Sequence, residues 1–470
     1  MKPNDLGIIG LGVMGRSLAL NAAEKGFSVA VYNRTEARTR DFAKSLPAGT
    51  SVFPVFSLEE LVECLSVPKR ILLMVKSGDP TDAFIEQLLQ MLAPGSIIMD
   101  GGNAHFADTE RRQARASERG VYVMGVGISG GESGARLGPS IMPGGSGAAY
   151  PDVANILESI AAQGPHGPCC VHLGPGSSGH YVKMVHNGIE YALMESLAES
   201  YDIMQRGLGM PIALIADVFE TWNQGLLQSY LLEIVPPILR RTDPATGAPL
   251  IDLIVDEAAQ KGTGAWTAKS ALDIGSPSSS ISAAVFSRLI SSLKSERQEA
   301  AKLLTGPVPI AVHDAEQVLK DLRSALLVST VIAYTQGFRQ LKDASREKGY
   351  GLSLGEVARI WTAGCIIRSA LLAPIGDAFG AQPDLTMLLA VDPFRTIWSE
   401  HHGGFRRLLA FARRAGIPVP GMSSSLDFVD AYRADRLPAN LTQAQRDFFG
   451  AHTYRRTDRA GTHHTDWGDA

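Results

Sequence analysis

Lys183, His186, Asn187 and Glu190 are polar residues spaced i, i+3, i+4 and i+7. In a helix that spacing puts all four on one face. Met184, Val185 and Ile189 fall on the opposite face. A lysine, an imidazole, an amide and a carboxylate converging on one pocket wall are side chains that accept, donate and relay protons. A solvated amphipathic helix can share the pattern, but it rarely turns His, Asn and Gly outward. Gly188 lies in the same run and costs roughly 1 kcal/mol relative to Ala inside a helix. Its presence predicts that another part of the molecule approaches this backbone closely.

A second set of residues can hold a dinucleotide. Gly10-Leu11-Gly12-Val13-Met14-Gly15 is a GxGxxG run between an expected strand, Leu6–Ile9, and an expected helix over 17–25 that Gly26 ends. In that context Gly10 permits the tight turn, Gly12 admits the pyrophosphate to the helix N-terminus, and Gly15 lets helix and sheet pack closely. The next strand ends in Asn33-Arg34-Thr35. An enzyme using NAD usually has Asp or Glu there for the ribose 2′-hydroxyl. A guanidinium instead meets a 2′-phosphate, so Arg34 predicts NADP.

The elements that must position these groups follow from the patterning. Short apolar runs alternate with helical stretches through the first ~175 residues, the mark of βαβ units on a parallel sheet. Expected strands are Leu6–Ile9, Ser28–Tyr32, Ile71–Val75, Ser96–Met99 and Tyr122–Val126. Ligands bind at the carboxyl ends of such strands. Beyond about Gly179 long helical periodicities take over. Trp222-Asn223-Gln224-Gly225 recurs as Trp361-Thr362-Ala363-Gly364, an offset of 139 residues, which predicts a duplicated helical unit. From about Asp435 the chain turns polar, as a disordered tail would, although Phe448 and Phe449 need burial, which another subunit can supply. The expected fold is thus a Rossmann-type α/β domain over residues 1–178, an all-helical domain with an internal duplication over 179–434, and a tail over 435–470.

Composition sets limits. Across 470 residues, 45% are hydrophobic and 20% charged, as in ordinary globular proteins. A net charge of −4 offers no basic field for nucleic acid. Two short basic clusters, Arg111-Arg112 and Arg455-Arg456, read as solvated surface. Cys64, Cys169, Cys170 and Cys365 include no CxxC pair, which argues against a zinc site or disulfide framework and for a reducing, cytoplasmic setting. No apolar run reaches membrane-spanning length, and no secretory leader pattern opens the chain.

The motifs together resemble the decarboxylating 6-phosphogluconate dehydrogenase family. The matching residues are Gly10–Gly15 with Asn33-Arg34-Thr35, then Ile128–Glu132, Lys183–Tyr191, Gln260–Trp266, and the stretch from Leu437 through Tyr454. They occur in order over nearly the whole chain. The resemblance implies oxidation of 6-phosphogluconate at carbon 3 by NADP, loss of CO₂, and protonation of the enediol to ribulose 5-phosphate, without a metal, in the pentose phosphate pathway and gluconate utilization. It implies Lys183 as catalytic base and Glu190 as the acid at carbon 1. Ser129, Gly130 and Gly131 would hold the carboxylate. Asn103, His186 and Asn187 would bond the hydroxyls. Tyr191, Lys261, Thr263 and Arg288 would hold the phosphate. Arg446 and His452 would arrive from the partner in a homodimer. Val75, Lys76 and Ser77 would flank the nicotinamide, and Asn103 would also touch the cofactor. Ala104 replaces the family's common Ser, and Thr362-Ala363 replaces a common Arg-Gly pair. Other readings are a β-hydroxyacid dehydrogenase of the 3-hydroxyisobutyrate kind, or a catalytically silent NADP-binding sensor. The first should lack the 261–266 loop, the duplication and the tail; the second should have lost site residues, and none of Lys183, His186, Asn187 or Glu190 is missing.

Overall fold

A computed structural model describes residues 3–307 and 312–468. Its N-terminal part is a seven-stranded sheet in the order β3-β2-β1-β4-β5-β6-β7. The strands are β1 (Leu6–Ile9), β2 (Val29–Tyr32), β3 (Val52–Pro54), β4 (Arg70–Leu73), β5 (Ile97–Asp100), β6 (Tyr122–Ser129) and β7 (Ser140–Gly144). All pairs are parallel except β6–β7. Apolar residues fill both faces of the central strands, as a doubly wound sheet requires.

The five expected strands form, Leu6–Ile9 with the expected bounds and the other four with one or both ends shifted by up to three residues. β3 and β7 were not anticipated. β3 is three residues long, exposes Phe53 and ends in Pro54, so it has no readable alternation. β7 contains Pro143 and Gly144 and survives at the sheet edge, where a missing N–H is tolerated. The helix after the glycine run starts at Val13, not near 17, because Gly12 itself is the N-cap.

The helical part is built on two long helices in mutual contact, Ser178–Asp202 and Ala315–Lys348. Each begins a repeat. Ser178–Asp202 is followed by Ile212–Trp222 and Tyr230–Leu239; Ala315–Lys348 by Leu354–Ile360 and Leu372–Ala381. Left-handed glycines, Gly209 and Gly349, end the two long segments at corresponding places. The repeats meet at corresponding residues: Ser229 bridges Ser369 in antiparallel fashion, with Tyr230 N donating to Arg368 O and Ala370 N to Gln228 O. The tandem Trp motif therefore marks a local two-fold relation. No helix among the described residues is long and apolar enough to cross a membrane.

Two expectations are corrected. Residues 439–450 are helical and 454–455 pair with 462–463 in a hairpin, so the polar tail is ordered. One carboxylate organises it. Asp447 is fully buried and accepts from Thr453 N, Thr465 N, Trp467 Nε1 and His464 Nδ1 at 2.8–3.1 Å. Composition averages over a segment and does not register one side chain with four donors. Second, Arg112 is not solvated surface. Its side chain is 1% exposed and ion-paired to Asp82 and Asp100. Arg455 and Arg456 are exposed as expected.

Candidate active site

The Ser178–Asp202 helix backs onto the β6–β7 edge of the sheet. Glycines make that contact possible. A Cβ on Gly127 would lie 2.4 Å from Lys183 Cβ, and one on Gly179 would lie 2.2 Å from Gly125 O. On the other side, a Cβ on Gly188 would meet Thr267 at 2.5 Å. Thr267 Oγ1 donates to Met184 O or Thr263 O, each within 2.9 Å. The close approach predicted by Gly188 is therefore made by the Thr263–Asp273 helix.

Lys183, His186 and Asn187 are buried, and Glu190 is partly so. The His186 ring is held at both nitrogens. Nδ1 lies 3.5 Å from Lys183 Nζ and 3.1 Å from Asn187 Oδ1; Nε2 lies 3.2 Å from Ser129 Oγ. The Trp361 ring meets it edge-on at 5.6 Å. Glu190 stands 3.9 Å from Nδ1. Thus the polar stripe of one helix, the end of β6 and the second repeat's Trp meet at one point.

Burial sets the protonation preferences. It lowers the Lys183 pKa, against the pull of Glu190 and Cys365. It raises the Glu190 pKa, opposed by Lys183 and Arg288. His186 is pushed well down by burial and by Lys183, with Asn187 opposing, so its ring is neutral. Lysine and glutamate are both driven toward their uncharged forms, as an acid/base pair near neutral pH requires.

Around this centre, Ser129 ends β6 and Gly130 follows with φ +113°. A Cβ on Gly130 would lie 2.6 Å from Gly364 O, which also accepts from Ser140 N at 2.8 Å. The turn after Trp361 thus supports the Ser129–Gly131 loop. Thr362, one of the departures, donates to Arg359 O at 2.7 Å and makes no hydrogen bond to Lys183, His186, Asn187 or Glu190. Asn103 is exposed in the loop after β5, and Ala104 is buried. Tyr191 is buried beneath Arg288, whose guanidinium carbon lies 3.4 Å from the ring centroid. Thr263 is buried and Lys261 exposed at the start of the Thr263–Asp273 helix. Arg446 and His452 are exposed on the tail, where Arg446 donates to Gln443 at 3.1 Å and the His452 ring meets Phe449 edge-on. Within one chain they do not join the other site residues.

The coenzyme cleft lies at the carboxyl ends of β1, β2 and β4. Gly10 has φ +102°, and a Cβ there would lie 2.4 Å from Met74 O. A Cβ on Gly15 would strike Gly10 O, whereas one on Gly12 would meet nothing within 4 Å. Gly12 therefore leaves space above the N-terminus of the Val13–Glu24 helix, which suits a pyrophosphate. Asn33 Oδ1 accepts from Leu11 N at 3.0 Å and pins the glycine loop to β2. Asn33, Arg34, Thr35, Val75 and Lys76 line one cleft of about 390 Å³ with Gly10 and Gly12. The chemistry of this cleft fits NADP: open glycine backbone beside cations. Val75 and Lys76, expected beside the nicotinamide, line this same cleft. Arg38, overlooked in the sequence, lines the same cleft. Its signal was a second arginine in the first turn of the Glu36–Ser45 helix, four residues after Arg34.

Two family models match the chain. One described as the NAD binding domain of 6-phosphogluconate dehydrogenase covers residues 5–174, and one described as the 6-phosphogluconate dehydrogenase C-terminal domain covers 179–467. A Synechococcus elongatus protein named 6-phosphogluconate dehydrogenase, decarboxylating, is 50% identical over 470 residues, covering 99% of this chain and 100% of its own length. A Bacillus subtilis relative named as NAD(+)-dependent and decarboxylating is 48% identical, with 99% and 100% covered. The solved Plasmodium falciparum 6-phosphogluconate dehydrogenase superposes with a TM-score of 0.95 at 42% identity, covering 98% of this chain and 100% of that one. It is described in its apo form and in complexes with its cofactor NADP⁺ and its substrate 6-phosphogluconate.

Proposed function

This chain belongs to the 6-phosphogluconate dehydrogenase family, and from that premise we propose that it converts 6-phospho-D-gluconate to D-ribulose 5-phosphate and CO₂ while reducing NADP. One observation carries the reading: a buried lysine and a buried-side glutamate, both biased to their neutral forms, bracket a neutral histidine beside the Ser129–Gly131 loop. A family model over residues 179–467 favours this substrate over a 3-hydroxyisobutyrate-like one, and an intact Lys183–Glu190 set favours an enzyme over a silent sensor.

Bound NADP supplies the acceptor for the hydride leaving carbon 3. Gly10, Leu11, Gly12, Val13, Met14 and Gly15 would hold its pyrophosphate, while Asn33, Arg34 and Thr35, with Arg38, would take the 2′-phosphate. Val75, Lys76, Ser77 and Asn103 would complete the cofactor contacts. Lys183 Nζ accepts the carbon 3 hydroxyl proton. As an ammonium it then polarises the ketone, so that the electrons of the breaking C1–C2 bond are received as CO₂ departs. Glu190 gives its proton to the former carbon 2 of the enediol, which becomes carbon 1 of ribulose 5-phosphate. Ser129, Gly130 and Gly131 hold the carboxylate, and Asn103, His186 and Asn187 the hydroxyls. The phosphate lies among Tyr191, Lys261, Thr263 and Arg288, a point charge and a fork beside two hydroxyls.

The enzyme works as a homodimer in which Arg446 and His452 reach the partner's site. Two surfaces support this. The tail exposes Phe448 and Phe449, and a face on residues 286–304 exposes Phe286, Leu289, Ile290 and Leu303. We divide the chain into a coenzyme domain (1–178), a substrate and dimerisation domain (179–434) and the tail (435–470), and place it in a reducing cytoplasm on its four free thiols. The test is Lys183→Met. It should still bind NADP and 6-phosphogluconate by calorimetry but turn over on the order of 10²–10⁴-fold more slowly. Near-normal turnover would remove Lys183 from the base role.

A further inference from the structure

A buried ionic cluster lies beneath the two coenzyme-domain loops, and the reaction scheme uses none of it. Arg112, on the Phe106–Ser117 helix, is its centre. Its Nε donates to Asp82 Oδ1 at 2.7 Å, Nη1 to Asp100 Oδ2 at 2.9 Å, and Nη2 to Gly78 O at 3.2 Å. Gly78 ends the 75–78 loop with φ +90° and caps the Asp79–Met91 helix, whose first turn carries Asp82. Asp100 ends β5, is fully buried, and its Oδ1 accepts from Gly102 N at 3.0 Å. One guanidinium therefore fastens the loop after β4 to the loop after β5.

The cluster continues to the catalytic helix. Asp100 O lies 3.0 Å from His180 Nε2, and His180 Nδ1 lies 2.6 Å from Thr109 Oγ1. A carbonyl can only accept, so Nε2 carries the proton and Nδ1 accepts from the threonine hydroxyl. His180 stands one turn before Lys183 on the same helix. Well-packed apolar residues would stabilise this interior at least as well as a buried ion pair. What an ionic cluster adds is a fixed register among the segments it joins.

We infer that Arg112 is a positioning residue: it holds loops 75–78 and 100–103 in register with each other and, through Asp100 and His180, with the helix bearing Lys183. The inference rests on the reading of those loops as cofactor loops. It is tested in the full-length enzyme with Arg112→Lys, which keeps the charge and loses the fork, and with Asp82→Asn, a partly exposed partner. Amide hydrogen exchange without cofactor should quicken about tenfold at 76–78 and at Gly102 while β4 and β5 keep their protection. NADP affinity, from NADPH fluorescence titration, should fall about tenfold or more, with KM for 6-phosphogluconate changing less. A purely structural role would lower the melting temperature and leave loop exchange and NADP affinity of the folded enzyme unchanged, and that result overturns the inference. If Arg112→Lys does not fold, Asp82→Asn decides alone by the same readouts. A wild-type enzyme that binds NADP yet leaves 6-phosphogluconate untouched would refute the functional reading, not this one, because exchange and cofactor affinity are read without turnover.

Discussion

Lys183 makes no ion pair within salt-bridge distance among the described residues; its one side-chain hydrogen bond is the long contact to His186. An ammonium so placed is poorly solvated, so folding favours the free amine. The sign for stability follows. The native pKa lies below the ordinary 10.5, so between the two values the unfolded chain binds more protons and stability rises with pH. Below the native pKa the burial penalty is fully present. Lys183→Met should therefore melt higher than wild type at pH 7, with the gain shrinking as pH approaches 10.5. Thermal scans across that range check it, and an unchanged melting temperature at pH 7 would mean the ammonium is well solvated. At the other end of the cleft, Arg34→Ala should weaken NADP about 10–100-fold, the range for a charged hydrogen bond, and leave NAD unaffected. Equal weakening of both would contradict the 2′-phosphate assignment. Because a 48% identical relative is named as NAD(+)-dependent, overall similarity does not set the cofactor and this residue-level test does. The 183–190 stripe and the glycine run were legible in the sequence because their logic is local spacing. Arg112 was not, because its carboxylate partners lie 30 and 12 residues away and only the fold brings them together.

Elements carry the placement of those residues. β6 runs on through Gly127 to Ser129, and the catalytic helix lies against Gly127 with no room for another carbon. Gly127→Ala should push the helix off the sheet, destabilise the fold by about 1–3 kcal/mol, and cut kcat by one to two orders of magnitude while NADP still binds. Urea titration and steady-state kinetics measure both; a normal kcat would show that helix–sheet contact does not set the geometry of the base. The sequence indicated β6 but ended it at Val126, since Gly127 reads as a loop residue when its neighbour across the interface is unknown. The duplication was visible only as two Trp segments. Their facing arrangement, and the support Gly364 gives to Gly130, depend on contacts between halves more than a hundred residues apart.

At the scale of the molecule, a single chain leaves its site open. Lys261 and Arg288 are partly or fully exposed, while Arg446 and His452 stand on a tail that makes few contacts with its own body. Deleting residues 440–468 should raise KM for 6-phosphogluconate steeply, leave NADP affinity near wild type, and shift sedimentation toward the monomer. A truncated enzyme that is dimeric and fully active would remove the partner's tail from the site. The reaction of the whole enzyme is oxidative decarboxylation. The most direct measurement supplies 6-phosphogluconate labelled at carbon 1 with NADP and counts NADPH and labelled CO₂ in the same vessel. The enzyme should yield equal amounts of both, with ribulose 5-phosphate as the remaining product. NADPH without labelled CO₂, or no NADPH at all, would contradict it.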